Sequence, residues 1–253
     1  MTESQIDSTL DAVPEAIRKP LKAVIGHMRP ALGGNFAGLT VVGSALTDDY
    51  HQGTSDINTV LLLEAHTSAA LMAVASMAKP LRKQHASPPL LMTTSYIERS
   101  RDVFGVEFLD FQLTHATVLG DDPFAALSFN KADVRLQCER ELKATLIRLR
   151  QGYIAAAGRN ELVRDVLIAA AKGLAPLLRA MLWLKDIERP QTMEATFRKA
   201  AGTFSIDLDA VAKAERWRYE KPHLIDAEIE TAFAAIYAAA DKLATLVDEL
   251  EVA

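Results

Sequence analysis

Past Asp122-Pro123-Phe124 the sequence holds no further alternating, β-branched run, and this one-sided loss of strand signal constrains the fold more than any other feature. Residues 132–157 read as one long helix, with Leu142, Leu146, Leu149 and Tyr153 three or four apart on a single apolar stripe and Gly158 as its stop. Residues 162–184 form a second long helical segment, in which Gly173 and Pro176 predict a kink or break. Shorter helices are expected over 193–201 and 208–217, and a long one over 227–251. Strand-like runs are confined to the first half: 39–44, 56–63, 90–94 and, alternating in its second half, 105–113. Helical stretches are expected over 7–32, with Pro14 and Pro20 marking first turns or breaks, and over 67–79, ended or bent by Pro80. The expected class is therefore α+β: a small mixed-sheet domain over 1–127, then an α-helical bundle over 128–253.

A chain of 253 residues with 49% hydrophobic and 24% charged residues can bury a real core, which excludes a disordered or collagen-like polymer. A net charge of −5 supplies no overall positive field for duplex nucleic acid. The apolar runs are interrupted by Lys, Arg or Asp short of a bilayer span, and the N-terminus lacks the pattern of a secretory signal, so no membrane partner and a cytoplasmic setting are expected. The single cysteine, Cys138, excludes an internal disulfide and reads as a buried small hydrophobe in a helix. The six histidines show no metal-ligand spacing and read as surface or interface residues.

Chemistry concentrates between the first two strands. Gly43-Ser44 ends the first, and Ser55-Asp56-Ile57-Asn58 opens the second. If those strands pair antiparallel, both segments come to one end of a sheet. A Gly-Ser turn lets backbone amides approach a phosphate, because glycine adds no Cβ and serine adds a hydroxyl. Residues two apart on a strand share a face, so Asp56 and Asn58 project together. Glu107, between Val106 and Phe108, offers a third oxygen group from a later strand, with Asp110 as its rival.

Val42-Gly43-Ser44-Ala45, Ser55-Asp56-Ile57-Asn58 and Val106-Glu107-Phe108 together resemble the nucleotidyltransferase superfamily, the fold of DNA polymerase beta and of aminoglycoside nucleotidyltransferases. The resemblance covers about the first half of the chain. It implies a strand ending in Gly-Ser, an acid-hydrophobic-acid pair holding magnesium against a triphosphate, and a third carboxylate activating an acceptor hydroxyl. By that resemblance Asp56 and Asn58 are metal ligands, Glu107 is a metal ligand or general base, and Gly43, Ser44 and Ser55 cradle phosphate. Position 58 departs from the pattern, since asparagine stands where the family has an acid. Asparagine can offer a carbonyl oxygen but removes one negative charge, so magnesium is expected to bind weakly or not at all. Lys172 and Arg179, seven apart on one helix, are candidate phosphate partners, and snorkelling cations are their plainer reading.

Three functions compete. One is a nucleotide-binding relative with an impaired metal site. Another is an active enzyme moving a nucleoside monophosphate from a nucleoside triphosphate to a small-molecule hydroxyl. The last is a helical interaction module with the α/β half as scaffold. Asn58 favours the first over the second, and retention of Gly43-Ser44, Asp56 and Glu107 disfavours the third.

Overall fold

The computed structural model describes residues 7–252. The chain divides into two compact units: one runs to Arg101 and resumes over Phe111–Ser128, while the other takes Asp102–Asp110 and the chain from Phe129 on.

The first unit is built on four strands, β1 (Phe36–Val42), β2 (Asn58–Leu63), β3 (Leu90–Met92) and β4 (His115–Leu119), in the order β3-β2-β1-β4. β1 is antiparallel to both β2 and β4, and β2 is parallel to β3, so the sheet is mixed. A parallel pair needs a crossover. Two helices supply it, α2 (Ser68–Ser76) and α3 (Ala78–Lys83). The 67–79 stretch thus divides at Met77, and Pro80 falls in the first turn of α3, where a missing N–H has no intrahelical role. α1 (Glu15–Leu32) buries Ile17, Leu21, Val24, Ile25, Met28 and Leu32 at three- and four-residue spacing against Leu39, Val41, Ile57 and Leu61 of the sheet. Pro14 precedes α1, but Pro20 lies inside it without ending it. Burial of this continuous apolar face outweighs the hydrogen bond that proline removes.

A short helix, α4 (Thr94–Arg99), follows β3, its first turn capped by the Thr93 hydroxyl accepting from the Tyr96 amide. The segment expected as a fourth strand is instead a helix, α5 (Gly105–Leu113), and the strand comes two residues later as β4. Its apolar residues satisfy both periods: Val106 and Phe108 alternate, while Val106 and Leu109 are one helical turn apart. A tertiary contact decides between them. The Gln137 side chain, only 4% exposed, accepts from the Val106 amide at 2.9 Å and donates to the Glu107 carboxylate at 2.5 Å, so it satisfies the open first turn. Gly105 also lies so near Val134 that a Cβ would come within 2.9 Å of its Cγ2. These contacts explain why 102–110 groups with the second unit.

That unit comprises α6 (Lys131–Ala156), α7 (Asn160–Leu184), α8 (Met193–Phe204), α9 (Asp209–Glu220) and α10 (Asp226–Asp248). The Asn130 side chain caps α6 by accepting from the Ala132 and Asp133 amides, and Ala157 and Gly158 end it with left-handed φ angles of 48° and 78°. Leu142, Leu146 and Leu149 are buried as the stripe requires, while Tyr153 stacks on Phe233 with ring centroids 4.4 Å apart. α7 runs through Pro176 without a break. It is long and apolar enough to cross a bilayer by length and composition, yet it buries much of that apolar surface inside the protein. Its Leu167, Leu174 and Leu178 form the centre of the bundle core.

Cys138 is fully buried in that core. Burial, and secondarily the Glu107 charge, push its thiol up to about 12. The native protein at pH 8 is therefore expected to leave an aromatic disulfide reagent unreacted, and to consume one equivalent once unfolded in urea. Rapid labelling without denaturant would contradict this burial.

Candidate functional site

β1 ends where the chain has to turn. Gly43 takes φ +77°, a left-handed conformation disfavoured for side chains with a Cβ, and opens a 3-10 turn over Gly43–Leu46. A Cβ at Gly43 would meet nothing within 4 Å, so the backbone angle rather than crowding calls for glycine. Its amide donates to the Thr114 carbonyl at 2.9 Å, which ties the turn to the start of β4 and removes that amide from any phosphate cradle. Ser44 is left with the open role. It is half-buried, and its hydroxyl has no partner among the described residues. The Ser44 carbonyl is closed off by the Thr47 amide and hydroxyl at 3.1 and 3.3 Å.

Val42 pairs with Asn58 across β1 and β2. That register brings the Gly43–Ser44 turn beside the opening of β2. Ile57 is buried between exposed Asp56 and exposed Asn58, the alternation that aims both polar groups out of the core. Neither side chain has a hydrogen-bond partner among the described residues. Ser55 differs: it is 3% exposed, and its hydroxyl accepts from the His51 amide at 3.1 Å while its own amide donates to the His51 carbonyl at 2.8 Å. It braces the loop from within. Tyr50 stands close enough to sense Asp56, since burial first and the Asp56 charge second raise its phenol above the ordinary value.

The other sequence-derived groups belong to the second unit. Glu107 lies on α5 rather than on a strand, exposed and gripped by Gln137. Lys172 is exposed on α7. Arg179, on the same helix, is 6% exposed. Its guanidinium donates to Asp110 at 2.8 Å, to the Gln191 carbonyl at 2.8 Å, and to the Pro190 carbonyl and Thr196 hydroxyl at 3.1 Å each. It pins the α7–α8 connection to α5. The half-buried Arg189 joins it by donating to the Leu109 carbonyl at 2.7 Å. Desolvation, partly countered by Asp110, lowers the Arg189 pKa.

The donor set at the sheet end does not fit a two-metal centre. Asp56 is the one carboxylate of its pair, and β3 and β4 carry no acid at all. Among the described residues, no group of three or more His, Cys, Asp or Glu side chains is arranged to hold a metal.

Residue spacing did not reveal one pair at this end. His115 opens β4 opposite Val42, and its Nε2 lies 2.9 and 3.1 Å from the two carboxylate oxygens of Asp122. The two residues are seven apart across the end of a strand and a glycine turn, which no local period connects.

A four-stranded mixed sheet with a Gly-Ser turn closing β1, joined to a helical bundle, is the nucleotidyltransferase-like architecture. The chain is similar to the crystal structure of spectinomycin adenyltransferase AAD(9) from Enterococcus faecialis with ATP and spectinomycin, at 11% identity and a TM-score of 0.58, covering 89% of this chain and 98% of that one. No family model matches the sequence, and no curated protein matches it either.

Proposed function

We propose that this chain is a nucleotidyltransferase-like protein that binds a nucleoside triphosphate at the Gly43–Ser44 end of its sheet, with an impaired metal site. The observation that carries the reading is the Val42–Asn58 register, which brings the Gly43–Ser44 turn to the end of the sheet where β2 opens with Asp56 and Asn58. The structurally similar AAD(9) was crystallised with ATP and spectinomycin, a nucleotide and a small molecule, which supports the same ligand classes for this chain. Gly43 shapes the turn, Ser44 donates to phosphate, and Ser55 holds the loop that presents Asp56. Asn58 brings an oxygen without charge, so binding relies little on Mg²⁺. Lys172 is exposed on α7, whereas the donors of Arg179 are taken by Asp110, Pro190, Gln191 and Thr196. The setting fits the cytoplasm, where nucleoside triphosphates are available.

Calorimetric titration with ATP, GTP, CTP and UTP, with and without Mg²⁺, tests this directly. Binding of at least one triphosphate, with little gain from Mg²⁺, is the expected result. Absence of binding to all four would end the reading. Asn58→Asp is nearly isosteric and returns one negative charge, so Mg²⁺ affinity is expected to rise about tenfold, or about 1.4 kcal/mol. Adding Glu107→Gln decides the place of Glu107: the gain disappears if Glu107 shares the metal and persists if it does not. Active transfer to a small-molecule hydroxyl is the second reading, favoured by the retained carboxylate of Asp56 at the sheet end that holds the Gly43–Ser44 turn. Turnover by the wild-type chain on any hydroxyl acceptor would promote it over the first.

A further inference from the structure

Between Arg29 and Lys79 the chain has no lysine or arginine, while Asp48, Asp49 and Asp56 all lie in that stretch. A polyphosphate seated at Ser44 therefore meets no lysine or arginine from β1, β2 or the loop between them. Three histidines of the first unit can become cations at this end: exposed His51 in the loop, exposed His85 beside Ile57, and His115, which is the one set directly opposite Val42. Val42 pairs with Asn58 on one side and with His115 on the other, so these side chains share one face of the sheet. Two inter-strand spacings put the Asn58 and His115 backbones about 10 Å apart. They are too distant to share a metal ion, but near enough to engage different oxygens of one polyphosphate.

Asp122 holds the ring in place. Its Oδ1 accepts from the Phe124 and Ala125 amides at 2.9 and 3.1 Å, and both its oxygens face His115 Nε2. Burial works against the Asp122 charge, but these hydrogen bonds prevail and hold its carboxyl below the ordinary range. An ionised carboxylate only accepts, so Nε2 donates to Asp122 and Nδ1 is the open nitrogen. Nδ1 has no partner among the described residues. Phe124 packs edge-on to the ring at 5.8 Å, and the side chain retains 13% exposure. Within the first unit, β1 and the Gly43–Leu46 turn pack on β4 without a titratable side chain. The 3-10 turn Leu10–Ala12 also packs there, and its Asp11 is paired with Arg18 at 3.0 Å. Asp122 is thus the charge in contact with His115, with Asp56 and His51 beyond it at the same sheet end.

We propose that protonated His115 is an anion-binding group of the nucleotide site, donating from Nδ1 to a phosphate oxygen, so that nucleotide affinity rises as pH falls through its titration. The proposal rests on triphosphate binding at Ser44. The sign follows from linkage: a ligand that prefers the imidazolium raises its pKa, and one pKa unit is a tenfold change in affinity between the two protonation states.

The test is an NMR titration of the imidazole resonances of the full chain from pH 5 to 8.5, with and without saturating ATP and without Mg²⁺. The His115 pKa is expected to rise by about one unit on ATP binding. His27 on α1 and His66 past the far end of β2 serve as unmoved references. His115→Gln keeps a donor toward Asp122, and is expected to bind ATP like the wild type at pH 8 but about tenfold more weakly at pH 6. If that variant misfolds, the wild-type titration decides alone. ATP binding with an unmoved or lowered His115 pKa overturns the proposal. Resonances that ignore ATP at every pH overturn the triphosphate reading and this proposal with it, a pattern distinct from binding with a silent His115.

Discussion

Replacing Arg179 with methionine is expected to cost the second unit about 3–5 kcal/mol of stability, the typical penalty for removing one partner of a buried ion pair. The loss is not the Coulomb attraction alone. Asp110 would keep its charge with a side chain only 20% exposed, and the Pro190 carbonyl, Gln191 carbonyl and Thr196 hydroxyl would each lose a charged donor. Methionine fills much of the volume, so the change is read as lost polar pairing rather than as a cavity. Both tryptophans, Trp183 and Trp217, lie in the second unit, so fluorescence during urea unfolding reports on that unit specifically. A midpoint shift worth less than about 1 kcal/mol would show that the network is peripheral. The same variant separates the two readings of Arg179. A phosphate ligand would lower ATP affinity while barely moving the urea midpoint, and the opposite pattern is expected.

The second large effect is expected at Gly120. It takes φ +79°, and a Cβ there would lie 2.4 Å from the Ala37 carbonyl oxygen and 2.9 Å from the Gly38 Cα. Gly38 has the reciprocal constraint, since its Cβ would come 2.8 Å from the Leu119 carbonyl oxygen. These two glycines let β1 and β4 close on each other where their register shifts next to Leu39. Gly120→Ala combines a left-handed backbone, about 1–2 kcal/mol, with a clash against backbone that cannot swing away, about 1–3 kcal/mol more. The sum, about 2–5 kcal/mol, falls on the strand pair that positions Gly43 and His115. Hydrogen exchange should therefore lose protection first along β1 and β4. The control is Gly26→Ala, in the interior of α1 with nothing within 4 Å of the added methyl, expected to be neutral or stabilising by about 0.5–1 kcal/mol. Equal effects at the two positions would remove the close approach as the cause.

The groups that made the sheet end recognisable are contiguous. Val42-Gly43-Ser44 closes one strand and Asp56-Ile57-Asn58 opens the next, and local chemistry suffices to read both: a glycine that tolerates positive φ, and alternation that turns Asp56 and Asn58 outward around buried Ile57. Glu107 misleads for an equally local reason. Nine residues, Gly105–Leu113, carry both a strand period and a helix period, and a glutamine thirty positions away selects the helix by completing its first turn. Arg179 and Lys172 share a helical face by spacing, yet one is buried and the other exposed, and the connection into α8 wraps over Arg179.

The amino-acid order by itself determined which stretches are helix or strand in most of the chain, the place of the Gly43 turn, and the missing charge at Asn58. Those properties follow from side-chain period, backbone freedom and formal charge, which each residue carries wherever it sits. Tertiary structure alone decided that Pro20 and Pro176 stay inside continuous helices, that α5 is a helix, that Arg179 is buried in a hydrogen-bond network with Asp110, and that His115 stands in one row with Val42 and Asn58. Each of these depends on which residue faces which across strands or between helices. Such pairings are set by the burial and hydrogen bonding of partners far apart in the chain, and no window of neighbouring residues contains them.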